Sequence, residues 1–256
     1  MPPEPGPLLH LPPSLRGFRP RHVVFSTWMD HLPFGYDLIT EVRPRRVVEL
    51  GTQAGLSYFC FCQAVAEQGL PTRCSAIDTW AGDAHTGAYD DATFREVERH
   101  NERYLAFSEL LRMRFEDALH RFPDGSMDLL HVDGLHTYDA VRLDHETWRA
   151  KVAPGGLILF HDVVARMHDF GVFRFWEELA PRGDAFLFTH GFGLGVVRVP
   201  GGDRRPGPLE AALFDPDPGA GRALRGFYEH AARHHDALRK DLVLDAVKDR
   251  VRAARG

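Results

Sequence analysis

Short apolar runs that alternate with helically spaced stretches constrain what this chain can fold into more than any other feature. Residues 46–50 are a β-branched run bounded by Pro44 and Gly51, and residues 56–68 then carry helical spacing. Apolar runs recur at 74–78, 111–115, 127–132 and 157–160, with helical stretches at 93–105 and 138–152 among them. In the last of these Tyr138, Val141, His145, Trp148 and Val152 are spaced by three and four, and Pro154-Gly155-Gly156 ends the helix. Strands separated by helices make βαβ units and a parallel sheet buried on both faces. Residues 186–188 and 194–199 flank a glycine-rich turn, His190-Gly191-Phe192-Gly193, and predict an antiparallel hairpin at the sheet edge. The expected class is therefore α/β: a Rossmann-like, doubly wound, mostly parallel seven-stranded sheet with an antiparallel edge hairpin and a helical C-terminal extension.

The alternation occupies residues 28–200. Residues 1–27 are Pro-rich and expected to be irregular, and residues 201–256 combine a Pro/Gly loop with helical spacing. In that last segment Leu224, Phe227, Ala231, Leu238 and Leu242 fall near one face, which suits packing on the chain's own domain or a homo-oligomer contact. No apolar run approaches the ~20 residues of a membrane span. The N-terminus lacks a basic start with an apolar core, and the three cysteines are odd in number, with Cys60 and Cys62 in an apolar run. A cytoplasmic location is the expectation. With 36 acidic against 31 basic residues the chain carries no basic footprint for nucleic acid.

In open parallel sheets the ligand lies beyond the carboxyl ends of the strands. There the chain places Glu49-Leu50-Gly51-Thr52-Gln53-Ala54-Gly55, a strand, a glycine turn and a helix start. Its G-x-x-x-G spacing is neither the dinucleotide fingerprint nor a P-loop. Asp78 ends the next strand, placed to accept hydrogen bonds from ribose hydroxyls. Together they point to an adenosine-containing ligand.

Val48-Glu49-Leu50-Gly51-Thr52 with Gly55, Ala76-Ile77-Asp78-Thr79-Trp80 and His131-Val132-Asp133-Gly134-Leu135-His136-Thr137-Tyr138 resemble class I S-adenosylmethionine-dependent methyltransferases. Residues 80–87, Phe160-His161-Asp162 and Asp169-Phe170-Gly171-Val172 resemble a bacterial branch associated with glycan and glycosylated natural-product biosynthesis. The resemblance implies S-adenosylmethionine as cofactor. It implies that Glu49 and Gly51 flank the cofactor's amino-acid end, with Thr52, Gly55, Ser57 and Asp133 around it. Asp78 would hold the ribose, Trp80 would lie beside the adenine, and Asp117 and Ala118 would meet the adenine edge.

Asp133 and His136 close the fourth strand, and His161 and Asp162 close the fifth. His136 can act as general base toward a substrate hydroxyl. Alternatively Asp133 and Asp162 bind a divalent cation that orients and acidifies the hydroxyl, with His136 still the base. The pattern resembles metal-dependent sugar and catechol O-methyltransferases, which implies Mg2+ or Mn2+ held by Asp133, His161 and Asp162. It departs from them at His161, where an acid is usual and an imidazole suits manganese better than magnesium. Asp83, His85 and Tyr89, in the long loop after the second strand, are expected acceptor contacts. The expected activity is O-methylation of a small-molecule or glycan acceptor, most often a sugar hydroxyl. N-methylation or phenol methylation, a metal-dependent hydrolase, and a non-catalytic cofactor-binding scaffold are the competing readings.

Overall fold

A computed structural model gives the structure of residues 12–233 and of residue 240. The first helix, α1 (Leu32–Val42), precedes strand β1 (Arg46–Leu50), helix α2 (Leu56–Glu67) and strand β2 (Arg73–Asp78). A small hairpin, β3 (Gly82–Asp83) with β4 (Gly87–Ala88), leads into α3 (Asp91–Asn101) and β5 (Ser108–Arg112). Next come α4 (Phe115–Ala118), β6 (Met127–Val132), α5 (Tyr138–Trp148) and β7 (Val152–His161). The chain then forms α6 (Val172–Leu179), β8 (Ala185–Phe188), β9 (Leu194–Arg198), α7 (Pro208–Leu213) and α8 (Pro218–Arg233). The main sheet has seven strands in the order β5-β2-β1-β6-β7-β9-β8. Its first five strands are parallel. The hairpin β8–β9 runs antiparallel against β7, as the glycine-rich turn predicts. Among the described residues no helix is long and apolar enough to cross a membrane.

Three local expectations are corrected. The third parallel strand is 108–112 rather than 111–115, because it registers on β2 from Cys74↔Ser108 to Asp78↔Arg112, and Phe115 instead opens α4. Pro154-Gly155-Gly156 does not end the fifth helix. A 3-10 turn, Arg149–Lys151, does so, and the Pro-Gly-Gly run is a bulge inside β7 with Gly155 at φ 77° and its N–H on Val199 O at 2.9 Å. The Pro/Gly segment that follows residue 200 is not all loop, since α7 forms there around the buried Glu210, paired with Arg204.

Both flanks share the core of the sheet. Phe18 and Trp28 from the N-terminal side and Leu209, Leu213 and Tyr228 from the C-terminal side pack in the cluster that holds α1 and α2. Leu224 and Phe227 pack against it and Ala231 is buried. Leu238 and Leu242 lie outside the described residues. Asp37 on α1 clasps both flanks, accepting from Ser14 N (2.6 Å), Ser14 Oγ (2.7 Å) and Tyr228 OH (3.0 Å). Burial raises its carboxyl to about 6, against the lowering effect of these donors. The folded chain thus holds a proton that the unfolded chain loses above its ordinary pKa near 4. Stability therefore falls as pH rises through the window from about 4 to about 6, by up to about 3 kcal/mol. Asp37→Asn is expected to flatten that part of the slope in urea melts across the window; an unchanged slope would contradict this role.

Candidate active site

The sheet order reverses between β1 and β6, the point at which open α/β sheets bind ligands. At that point the turn after β1 lies directly on the turn after β6. A Cβ at Gly51 would stand 2.1 Å from Asp133 O, and Gly51 has φ 84°, so both space and backbone conformation require glycine. Gly55, at φ 85°, caps α2 without a side-chain acceptor for that helix's first N–H groups, and Leu56 and Ser57 of the first turn line the cavity. Asp78 organises the turn. Its Oδ2 accepts from Thr52 N (2.9 Å) and Gln53 N (2.8 Å), and its Oδ1 from Trp80 N (2.7 Å). A carboxylate has about four acceptor positions, so capacity remains for a ligand hydroxyl.

Gly51, Thr52, Gly55, Ser57 and Asp78 line one cavity of about 660 Å³, within the range of small-molecule sites. Thr52 Oγ1 is buried there without a hydrogen-bond partner. An orphaned hydroxyl, free helix N–H groups and an organised carboxylate fit the polar ends of S-adenosylmethionine.

Four of the expected cofactor contacts lie elsewhere. Glu49 is fully buried beneath the turn, accepting from His131 Nδ1 at 2.8 Å, while Trp28 Nε1 donates to His131 Nε2 at 3.1 Å. Trp80 is also fully buried. Its positive φ of 50° turns the indole under the loop, where Nε1 donates to Gln53 O and the ring packs on Phe94. Ala118 is buried in the second core cluster, and Asp117 is not among the cavity-lining residues. Because the third strand ends three residues earlier than expected, Arg114, Phe115 and Glu116 line the cavity in their place.

In the same cavity Asp133, His136 and Asp162 each present a ligand atom, all within 4.8 Å of one another. His136 Nε2 lies 2.9 Å from Asp162 Oδ2 and 3.9 Å from Asp133 Oδ1. Asp162 has φ 60°, and its Oδ1 is buried and unpartnered. Burial lowers the His136 pKa, but the contact with Asp162 and the charges of Asp162 and Asp133 outweigh it, so the net direction is upward.

His161 does not join as a cation ligand. Its Nε2 donates to Gly191 O at 3.0 Å and its Nδ1 faces Asp133 (3.3 Å) and Asp162 (3.5 Å). Burial opposes its charge, but the two carboxylates raise its pKa well above the ordinary value. Both of its nitrogens are therefore engaged within the protein.

The loop 79–90 contributes unevenly. Asp83 lines the cavity, and its Oδ1 is held by its own loop, accepting from the N–H groups of His85 and Thr86 and from Thr86 Oγ1. Tyr89 lines the cavity with its hydroxyl on Gln53 Nε2 at 2.7 Å. His85 reaches His136. The cavity rim also includes Phe25, 72% exposed, and Phe192, 39% exposed. Neither was legible as a site residue, since an isolated Phe in a Pro-rich segment or a glycine turn carries no spacing signal.

Comparison with known proteins gives concordant results. A family described as a methyltransferase domain matches residues 48–163. An uncharacterised protein, y4gI of Sinorhizobium fredii, is 48% identical over 190 residues, 74% of this chain. The chain spans about a fifth (21%) of the length of that curated relative. Among solved structures, the fold is similar to the S-adenosylhomocysteine-bound methyltransferase PaMTH1 of Podospora anserina. That match has a TM-score of 0.52 and 17% identity, covering 67% of this chain and 78% of that one. The cofactor-bound Rv0187 from MTB matches with TM-score 0.51 and 18% identity, over 73% of this chain and 85% of that one.

Proposed function

We propose that this chain, whose residues 48–163 match a methyltransferase domain, transfers a methyl group from S-adenosylmethionine to a hydroxyl oxygen of a sugar-bearing acceptor. One observation carries the reading. A cradle suited to S-adenosylmethionine, Gly51 to Gly55 with Asp78, and a cluster suited to proton and cation chemistry, Asp133, His136 and Asp162, open onto the same cavity. Asp133, His136 and Asp162 would hold a divalent cation, which would supply charge that orients and acidifies the hydroxyl, and S-adenosylmethionine would supply the methyl group. Two carboxylates and one imidazole form a mixed oxygen and nitrogen set, which favours Mn2+ over Mg2+. The rings of Phe25 and Phe192 at the rim suit the apolar face of a sugar or an attached aglycone.

Within this reading the base role passes from His136 to Asp133. With Nε2 given to the cation and Nδ1 facing His85, His136 would have no free lone pair, whereas Asp133, which lines the same cavity, is the most exposed member of the cluster, at 19%. Aligning donor and acceptor along one cavity supplies most of the rate enhancement. A second reading rests on the 2.9 Å contact between His136 and Asp162: without a cation, Asp162 orients His136 as general base.

Methyl transfer from labelled S-adenosylmethionine to a panel of glycosides, catechols and amino sugars separates these readings. Transfer to glycosides that stops with chelator and returns with Mn2+ supports the cation. Chelator-insensitive transfer moves the chemistry to His136. Transfer to catechols or amines alone would overturn the sugar assignment.

A further inference from the structure

Behind the cluster a second layer runs outward to the surface. His136 Nδ1 lies 3.2 Å from His85 Nδ1, and His85 Nε2 lies 2.6 Å from Asp169 Oδ1. Phe170 packs on both imidazoles, with its ring centroid 4.7 Å from that of His85 and 4.5 Å from that of His136. The His85 side chain is 8% exposed, and that of Asp169 is 70% exposed. His85 is held in place before any ligand arrives, because Asp83 Oδ1 accepts from the N–H groups of His85 and Thr86 and fixes the turn between β3 and β4.

Proton counting along this row gives it a direction. An ionised carboxylate only accepts, so the short contact with Asp169 places a proton on His85 Nε2. A neutral His85 then has a bare Nδ1, which must accept the proton of His136 Nδ1. A neutral His136 with its proton on Nδ1 presents a lone pair at Nε2. That lone pair and the carboxylate oxygens at 2.9 and 3.9 Å converge as the ligand atoms of a cation do; without a cation, a second proton on Nε2 donated to Asp162 fills the same place. Histidines that bind metals commonly donate their other ring N–H to an acceptor of this kind, which fixes the tautomer and raises ligand basicity.

We infer that His85 and Asp169 are positioning residues that hold His136 as an Nε2 ligand for a divalent cation and tie the 82–89 hairpin to the occupied site. This rests on the cation reading of Asp133, His136 and Asp162. The pairing is absent from the functional assignment above, and its two new members come from loops 84 residues apart.

The test uses Mn2+ as the probe, with binding followed by the paramagnetic resonance signal of the free ion. The full chain is compared with Asp169→Asn and His85→Ala. Both variants are expected to bind Mn2+ about 10- to 100-fold more weakly, with S-adenosylmethionine affinity unchanged. His85→Gln, which can still accept and donate, is expected to recover part of the loss. Mn2+ is also expected to slow amide exchange across residues 82–89 in the parent chain and not in Asp169→Asn. Asp169 is largely exposed, so its substitution leaves the fold intact, and retained S-adenosylmethionine binding checks this. Mn2+ binding by the parent with equal affinity in both variants would overturn the inference while leaving the cation site standing. Absence of Mn2+ binding by the parent would overturn the cation site itself.

Discussion

Changing Asp162 to asparagine is expected to cut methyl transfer by at least about 100-fold while S-adenosylmethionine still binds. Asp162 follows β7 and touches His136 Nε2 at 2.9 Å, whereas the cradle for the cofactor is built on the turns after β1 and β2. The asparagine keeps the size of the side chain but removes its charge and places an NH2 group where one carboxylate oxygen stood. It therefore weakens the hold on a cation in the first reading and the orientation of His136 in the second. His136→Ala is expected to lose activity to a similar degree. Turnover of single charges of labelled cofactor, measured beside equilibrium binding, checks both variants. Near-normal turnover in either would remove the cluster from the chemistry.

The second large effect is expected at Gly51. An alanine there would bring its Cβ to 2.1 Å from Asp133 O and force a side chain onto a backbone at φ 84°. Overpacking costs about 1–3 kcal/mol and the left-handed conformation about 1–2 kcal/mol more. Backbone on both sides of the switch point must shift to accommodate it, so the turn that holds Asp133 moves together with the one that holds Thr52. Gly51→Ala is expected to lower the thermal midpoint and to weaken S-adenosylmethionine binding together. A variant that melts like the parent and binds normally would show that the two turns are not in the contact described.

Gly51 also shows why part of the site was legible in the sequence. A glycine after a β-branched run marks a tight turn, and the run itself places that turn at the ligand edge; that the close approach is to the Asp133 carbonyl appears only in the fold. Asp133, His136 and Asp162 could be named for the same reason, as polar residues in the turns that follow strands. The edge hairpin was equally open to reading, because His190-Gly191-Phe192-Gly193 separates two apolar runs. Helix α1 gave no clear signal. It carries Pro33 and Gly35, which read as punctuation, although Pro33 sits at the helix start, where a missing N–H costs nothing.

Other parts of the site depend on contacts that spacing does not encode. Trp80 follows Asp78 at the ligand edge, yet a positive φ folds its indole into the interior. His161 has the right position for a cation ligand, but the carbonyl of Gly191 and two carboxylates occupy both of its nitrogens. The link from Asp169 through His85 to His136 joins three loops, and only the folded chain brings them together. The flanks are similar. Ser14 and Tyr228 meet on Asp37, so segments that looked peripheral in the sequence help to bury the first helix.

The most direct test is calorimetric titration of the full chain with S-adenosylmethionine and with S-adenosylhomocysteine. Saturable binding of both, with one site per chain and weakened by Asp78→Ala, is the predicted result. Absence of binding by either compound would contradict the proposed methyl transfer, whatever the cluster at Asp133, His136 and Asp162 is found to hold.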